Sequence, residues 1–216
     1  MEFLIVILGL LPGFAWLVFF LKEDIHPEPK KMIAKVFIVG ALFTFIALAL
    51  EWFFQNFAAK LNVQPTDTFS FFGLSAIEEV FKFLAAYLVV RKSKFFDEPV
   101  DAMVYMVVAA LGFATIENLA VVFNVISDGG GFGGAVGTMV LRFVGATLLH
   151  ALSSGMVGYY WARKAILKGL VFATILHTIF NYLILIFNEE IIYPIVFLII
   201  IAFFVFYDFE KLKNNN

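Results

Sequence analysis

The chain has 216 residues, of which 62% are hydrophobic and only 15% charged, and its mean hydropathy is +0.96. A soluble fold of this length cannot hide that much apolar surface, so lipid is the solvent for much of it. The net charge of −2 argues against a nucleic-acid partner, and the lack of cysteine excludes disulfides, thiol catalysis, iron–sulfur clusters and cysteine-ligated zinc.

A membrane span needs about 20 mostly apolar residues. Seven stretches qualify: 3–21, 33–57, 70–90, 101–126, 136–161, 167–187 and 191–207. They are continuous apolar runs without alternation, which predicts helices rather than barrel strands. The first has no basic n-region and no small-x-small cleavage site, so it reads as a retained span rather than a signal peptide. The expected fold is an all-α polytopic membrane protein: one integral membrane domain over 1–216, with a catalytic core over about residues 70–187 and a buried polar site formed by helices three to six.

Loop one carries Lys22, Lys30, Lys31 and Lys35, together with His26, which is expected to be merely solvated. Loop three carries Arg91, Lys92 and Lys94, loop five Arg163, Lys164 and Lys168, and the tail Lys211 and Lys213. Those are twelve of the fifteen basic residues, and the even loops hold only Lys60. The positive-inside rule then places the odd loops and the C-terminus in the cytoplasm and the N-terminus outside. Loop four, residues 127–137, is the only glycine-rich stretch; it reads as a flexible linker or, alternatively, a mobile gate over the site.

Ionisable residues inside spans are costly and mark function by default. Helix three holds Glu78, Glu79 and Lys82. The adjacent carboxylates point about 100° apart, and Lys82 is i+4 from one and i+3 from the other. One ion pair satisfies one glutamate and leaves the second spare. Helix four holds Phe113, Glu117 and Asn118; helix five holds Arg142, His150, Ser153 and Ser154; helix six holds His177 and Asn181 on one stripe. Arg142 reads as a residue snorkelling near the outer end, and Glu51 of helix two as its partner or as a group reaching outer water. Counted from the predicted outer ends, Glu78, Glu117, His177 and His150 lie roughly 10–20 Å deep, in one layer displaced outward. Independent structural pairs have no reason to share a layer, whereas a hydrated cavity does.

Carboxylates, imidazoles and an amide without a thiol suit a glutamate that activates water, with an imidazole N–H and the Asn181 amide stabilising the oxyanion. His150 and Ser154 share a helix face, which keeps a serine nucleophile open but leaves the double glutamate unexplained. Two glutamates and two histidines also suit zinc, but no HExxH is present and Lys82 works against a dication; no cofactor or metal is expected. A transporter using the carboxylates as proton sites and a non-catalytic binding protein are the competing classes.

At these residues the chain resembles the PrsW family of intramembrane proteases. The carrying residues are Glu78-Glu79-x-x-Lys82, Phe113-x-x-x-Glu117-Asn118, His150-x-x-x-Ser154 and His177-x-x-x-Asn181, with Glu23 to Lys30 and Asp97 to Asp101 resembling its cytoplasmic loops. That family is related to the CAAX prenyl endopeptidases and bacteriocin-processing proteins, whose first motif is two glutamates followed by arginine and whose second pairs phenylalanine with histidine. Here Lys82 replaces the arginine one residue earlier and Glu117 stands in the histidine's place, with His150 the candidate for the missing imidazole. The resemblance implies that Glu78 is the base, that Glu79 pairs with Lys82, and that His177 and Asn181 form the oxyanion site. It also implies a bacterial cell membrane and, as partner, a single-pass anti-sigma factor cut on its extracytoplasmic side.

The loop charges set the first test. A reporter active only in the cytoplasm should work when fused to the C-terminus, and one active only outside the membrane should stay silent there; the opposite pattern refutes the orientation.

Overall fold

The structure is a computed structural model that describes residues 2–187 and 190–214. Among these residues there is no strand. The helices are α1 (Glu2–Phe20), α2 (Lys30–Lys60), α3 (Thr68–Val90), α4 (Asp101–Ser127), α5 (Gly131–Val144), α6 (Ala146–Ala162), α7 (Ile166–Ile186) and α8 (Ile192–Lys213), with a 3₁₀ turn at Leu21–Glu23. Among the described residues, six segments are long and apolar enough to cross a membrane, the fourth of them running through α5 and α6 as Gly131–Ala162. The seventh predicted span is α3, 23 residues long, whose apolar run is interrupted by Glu78, Glu79 and Lys82. The chain is thus a multi-pass, all-α membrane protein.

The bundle is built around α4, which packs against α1, α2, α3, α5 and α6. Every residue of α4 from Asp101 to Thr115 is buried. Lipid is as apolar as leucine, so burial of apolar surface does little to hold helices together here; close backbone approach and interhelical hydrogen bonds do more. The small residues provide that approach. A Cβ added at Gly40 of α2 would lie 2.1 Å from the Ala109 carbonyl oxygen of α4, and one at Gly112 of α4 would lie 2.0 Å from that of Phe37. Gly158 of α6 meets α4 in the same way, at the Ala102 carbonyl. Thr44 of α2 adds a hydrogen bond across the same interface, its hydroxyl donating to the Phe113 carbonyl at 3.2 Å. The opposite faces carry exposed Phe45, Phe53, Ile199 and Phe203, the surface expected where lipid is the solvent.

Two sequence expectations are corrected here. The glycine-rich stretch is not a loop: from Gly131 onward it is the first half of α5, and only residues 128–130 form the turn. Gly129 (φ 85°) and Gly131 (φ 60°) take the left-handed conformations that make this turn. The predicted continuous helix over 136–161 is broken at Gly145, which has φ −109° and ψ −100°. The break strands carbonyls of the last turn of α5. One of them, that of Phe143, accepts a hydrogen bond from the Trp16 indole N–H of α1 at 2.8 Å.

At the end of the bundle bearing loops one and three, the two loops are pinned together. The Asp24 carboxylate accepts the backbone N–H groups of His26 and Glu28, and Asp101 accepts those of Asp97 and Glu98. His26 is not merely solvated, since its Nδ1 lies 2.7 Å from Glu98 Oε1. The Tyr105 hydroxyl of α4 donates to Glu28 Oε2 at 2.5 Å. Burial pushes the Glu28 carboxyl up to about 7, against the lowering effect of that hydroxyl.

The glycine contacts predict unequal substitutions. Gly40→Val should cost more than the ~1–3 kcal/mol usual for overpacking, because the obstacle is backbone, and should sharply reduce the folded fraction in a detergent melting assay. Gly133→Ala has nothing within 4 Å to meet, so its melting point should hold or rise slightly.

Candidate active site

The interrupted span α3 supplies the centre of the site. Glu78, Glu79 and Lys82 are all buried, Glu79 and Lys82 completely. Lys82 donates to Glu79 Oε1 at 2.7 Å and stands 3.6 Å from Glu78 Oε2. Its remaining bond goes to α6, where His150 Nδ1 accepts at 2.8 Å. Beneath the ammonium lies the Phe113 ring of α4, with its centroid 5.4 Å away, which adds a cation–π contact in a desolvated place.

These bonds settle the orientation of His150. Nδ1 is an acceptor toward Lys82, so the proton is on Nε2, which donates to Glu117 Oε2 at 2.8 Å. Glu117 is held in turn by Arg142, with Nη2 at 3.3 Å. Arg142 Nε donates to Asn118 Oδ1 at 2.5 Å, and Asn118 Nδ2 donates to the Thr147 hydroxyl at 3.0 Å. Arg142 therefore does not simply snorkel, and its carboxylate partner is Glu117 rather than Glu51. Glu51 Oε1 is buried with no hydrogen-bond partner.

Glu79 is the anchor of the other half. Its Oε1 accepts from Lys82, from the Ser153 hydroxyl at 3.0 Å, and from His177 Nδ1 at 2.9 Å. With Nδ1–H committed to Glu79, His177 presents Nε2 to the cavity, 3.8 Å from Glu78 Oε2. The two imidazoles meet edge-on, with centroids 5.2 Å apart. Glu78 Oε2 has no hydrogen-bond partner, though the residue is only 9% exposed. Ser154 is fully buried, and its hydroxyl is likewise without a partner.

A cavity of about 320 Å³ lies over these groups, lined by Glu78, Glu117, Arg142, His150, His177 and Asn181 among others. The structure thus gathers the sequence-derived residues of α3, α4, α6 and α7 around one space. Phe113 and Asn118 stand behind it and Ser154 outside it. Sequence reasoning missed Thr147 and placed no role on Ser153. Thr147 lies three residues before His150 on the same face of α6, the one signal that could have found it.

Fold and site define a multi-pass membrane protein with a charged cavity enclosed among its spans, the class that includes intramembrane proteases. Residues 28–207 match the family model described as PrsW family intramembrane metalloprotease. The chain is 30% identical over 162 residues to Protease PrsW of Geobacillus kaustophilus, covering 74% of this chain and 67% of that one. It is 28% identical to Protease PrsW of Clostridioides difficile over 99% of this chain and 92% of the relative, and 27% identical to that of Bacillus subtilis over 99% and 98%. No solved structure matches it. The chain belongs to the PrsW protease family.

The family's description implies a metal, and the donor atoms of Glu78, His150 and His177 do converge, all within 4.8 Å of one another. As arranged, however, they do not make a catalytic metal site. Such a site takes three protein ligands. Glu78 Oε2 and His177 Nε2 are free, but the lone pair of His150 Nδ1 is held by the Lys82 ammonium and Nε2 is turned to Glu117. A dication would also stand beside that ammonium.

The buried pair predicts a specific pattern of rescue. Lys82→Met strands the Glu79 charge and should cost about 3–5 kcal/mol, seen as lost folded protein in detergent. Adding Glu79→Gln removes the stranded charge and should recover much of the folded yield, without recovering activity. A double variant no better folded than Lys82→Met refutes this account.

Proposed function

We propose that this protein is an endopeptidase that hydrolyses a membrane-spanning substrate with water activated by Glu78 and no metal. One observation carries the reading: a buried carboxylate oxygen without a partner faces His177 Nε2 across 3.8 Å. That gap is too long for a direct hydrogen bond and short enough for one water to touch both atoms.

In the step proposed, Glu78 Oε2 takes a proton as the water oxygen attacks the peptide carbonyl. The oxyanion receives hydrogen bonds from His177 Nε2–H and the Asn181 amide. Glu78 then returns its proton to the leaving nitrogen as the C–N bond breaks. His177 must carry both ring protons for this, one on Glu79 and one toward the oxyanion. By resemblance the substrate is a single-pass anti-sigma factor cut on its extracytoplasmic side.

A serine mechanism lacks its base, since both nitrogens of His150 are engaged elsewhere and the Ser154 hydroxyl has no partner. The test is single-turnover cleavage of a single-pass substrate by purified protein in detergent. Glu78→Gln should bind and not cleave. His177→Ala should lose roughly 10²–10³ in turnover with little change in binding, Asn181→Ala less, and Ser154→Ala almost nothing. Cleavage should survive strong chelators. Zinc lost together with activity, and both restored by zinc, would refute the metal-free mechanism.

A further inference from the structure

A second cavity, about 280 Å³, opens beside the catalytic one between α5, α7 and α8. The two share Arg142, Ala146 and Asn181, so they adjoin at those residues. Away from the junction the walls are apolar: Leu141, Phe180, Ile184 and Ile195 among others. Leu141 and Ile184, within the long apolar segments, are about half exposed, so the groove reaches the lipid-facing side of the bundle.

The helix break lies at this junction. α6 begins at Ala146, and its first intrahelical acceptor is the Gly145 carbonyl, bonded by Leu149 N–H at 2.9 Å. The first N–H groups of α6 have no carbonyl of their own helix to meet. Ala146, the first residue of α6, lines the cavity with Arg142, Asn181 and Glu78, whose Oε2 is unpartnered. An unwound peptide needs such a place. A spanning helix hides its carbonyls, so cleavage requires local unwinding, and each backbone group freed in lipid costs several kcal/mol unless it finds a partner.

Resting on the protease reading above, we infer that the groove between α5, α7 and α8 is a specificity subsite. It receives one large apolar side chain of the substrate next to the scissile bond, while the unwound backbone crosses the break at Gly145. The occupant is therefore an apolar, membrane-spanning polypeptide segment entering from the lipid.

A panel of single-pass substrates carrying Ala, Leu or Phe at each position flanking the cut tests this. Wild type should cleave Leu or Phe at one flanking position at least about tenfold faster than Ala. Ile195→Trp, which fills the groove, should reverse that preference in favour of Ala at the same position, while Ile199→Trp on the lipid face of α8 should leave it unchanged at equal folded yield. A photoreactive residue at position 184 in the Glu78→Gln background should capture the substrate. If Ile195→Trp slows every member alike or leaves the preference as it was, or if position 184 captures phospholipid alone, the subsite is refuted and the protease reading stands. If wild type cleaves no member of the panel, both fall.

Discussion

The ammonium of Lys82 is the constraint on which the rest depends. A fully buried cation in a membrane protein must be compensated on every side. Glu79, His150 Nδ1 and the Phe113 face supply three of those sides from three different helices. Each partner is thereby fixed in one role. Glu79 becomes an anchor able to orient His177. His150 becomes an acceptor on one nitrogen and a donor to Glu117 on the other. Glu78, which Lys82 meets only at 3.6 Å, keeps its Oε2 without a hydrogen bond and lines the cavity. The two adjacent glutamates therefore differ because the short hydrogen bonds of Lys82, Ser153 and His177 all go to Glu79, rather than because of any difference in their chemistry.

The same constraint explains why the bundle is closely packed around α4. Phe113 can face Lys82 only if α4 comes close to its neighbours, and Gly112, the residue before it, lets the backbone of α2 approach. Thr44 then ties that approach to the Phe113 carbonyl itself. The packing that replaces the hydrophobic effect in lipid and the placement of the charged site are one piece of construction.

Much of this was legible in the sequence because lipid enforces simple rules. Apolar run length gave the number of long helices, and the cost of buried charge singled out Glu78, Glu79, Lys82, Glu117, His150 and His177 before any contact was known. Helix geometry put Lys82 within reach of both glutamates, and only the structure gives its hydrogen bond to Glu79. What was not legible depended on tertiary partners. Arg142 sits where a snorkelling residue would sit, and only the approach of α4 shows that Glu117 and Asn118 claim it. The glycines after residue 130 carry no mark of helix, because glycine is a poor helix former and packing decides the outcome. The break at Gly145 is equally silent, since no proline announces it.

That break bears on how a site can be rigid and still admit a chain. The charged network joins α3, α4, α6 and α7, and it ties in α5 only through Arg142 at the end of that helix. Below Gly145, α6 is held by His150, Ser153 and close glycine contacts with α4. Above it, α5 is held at its end by Arg142 and by the Trp16 bond to the Phe143 carbonyl, and along the rest of its length by apolar contacts. A break between a helix tied along its length and one tied mainly at its end lets the far part of the second yield while Arg142 stays in place. Catalytic groups must stay fixed to within a fraction of an ångström, whereas a lipid-facing wall must yield to a substrate. Placing the discontinuity one turn from His150 and beside Asn181 separates those demands at the point where substrate and catalytic groups meet.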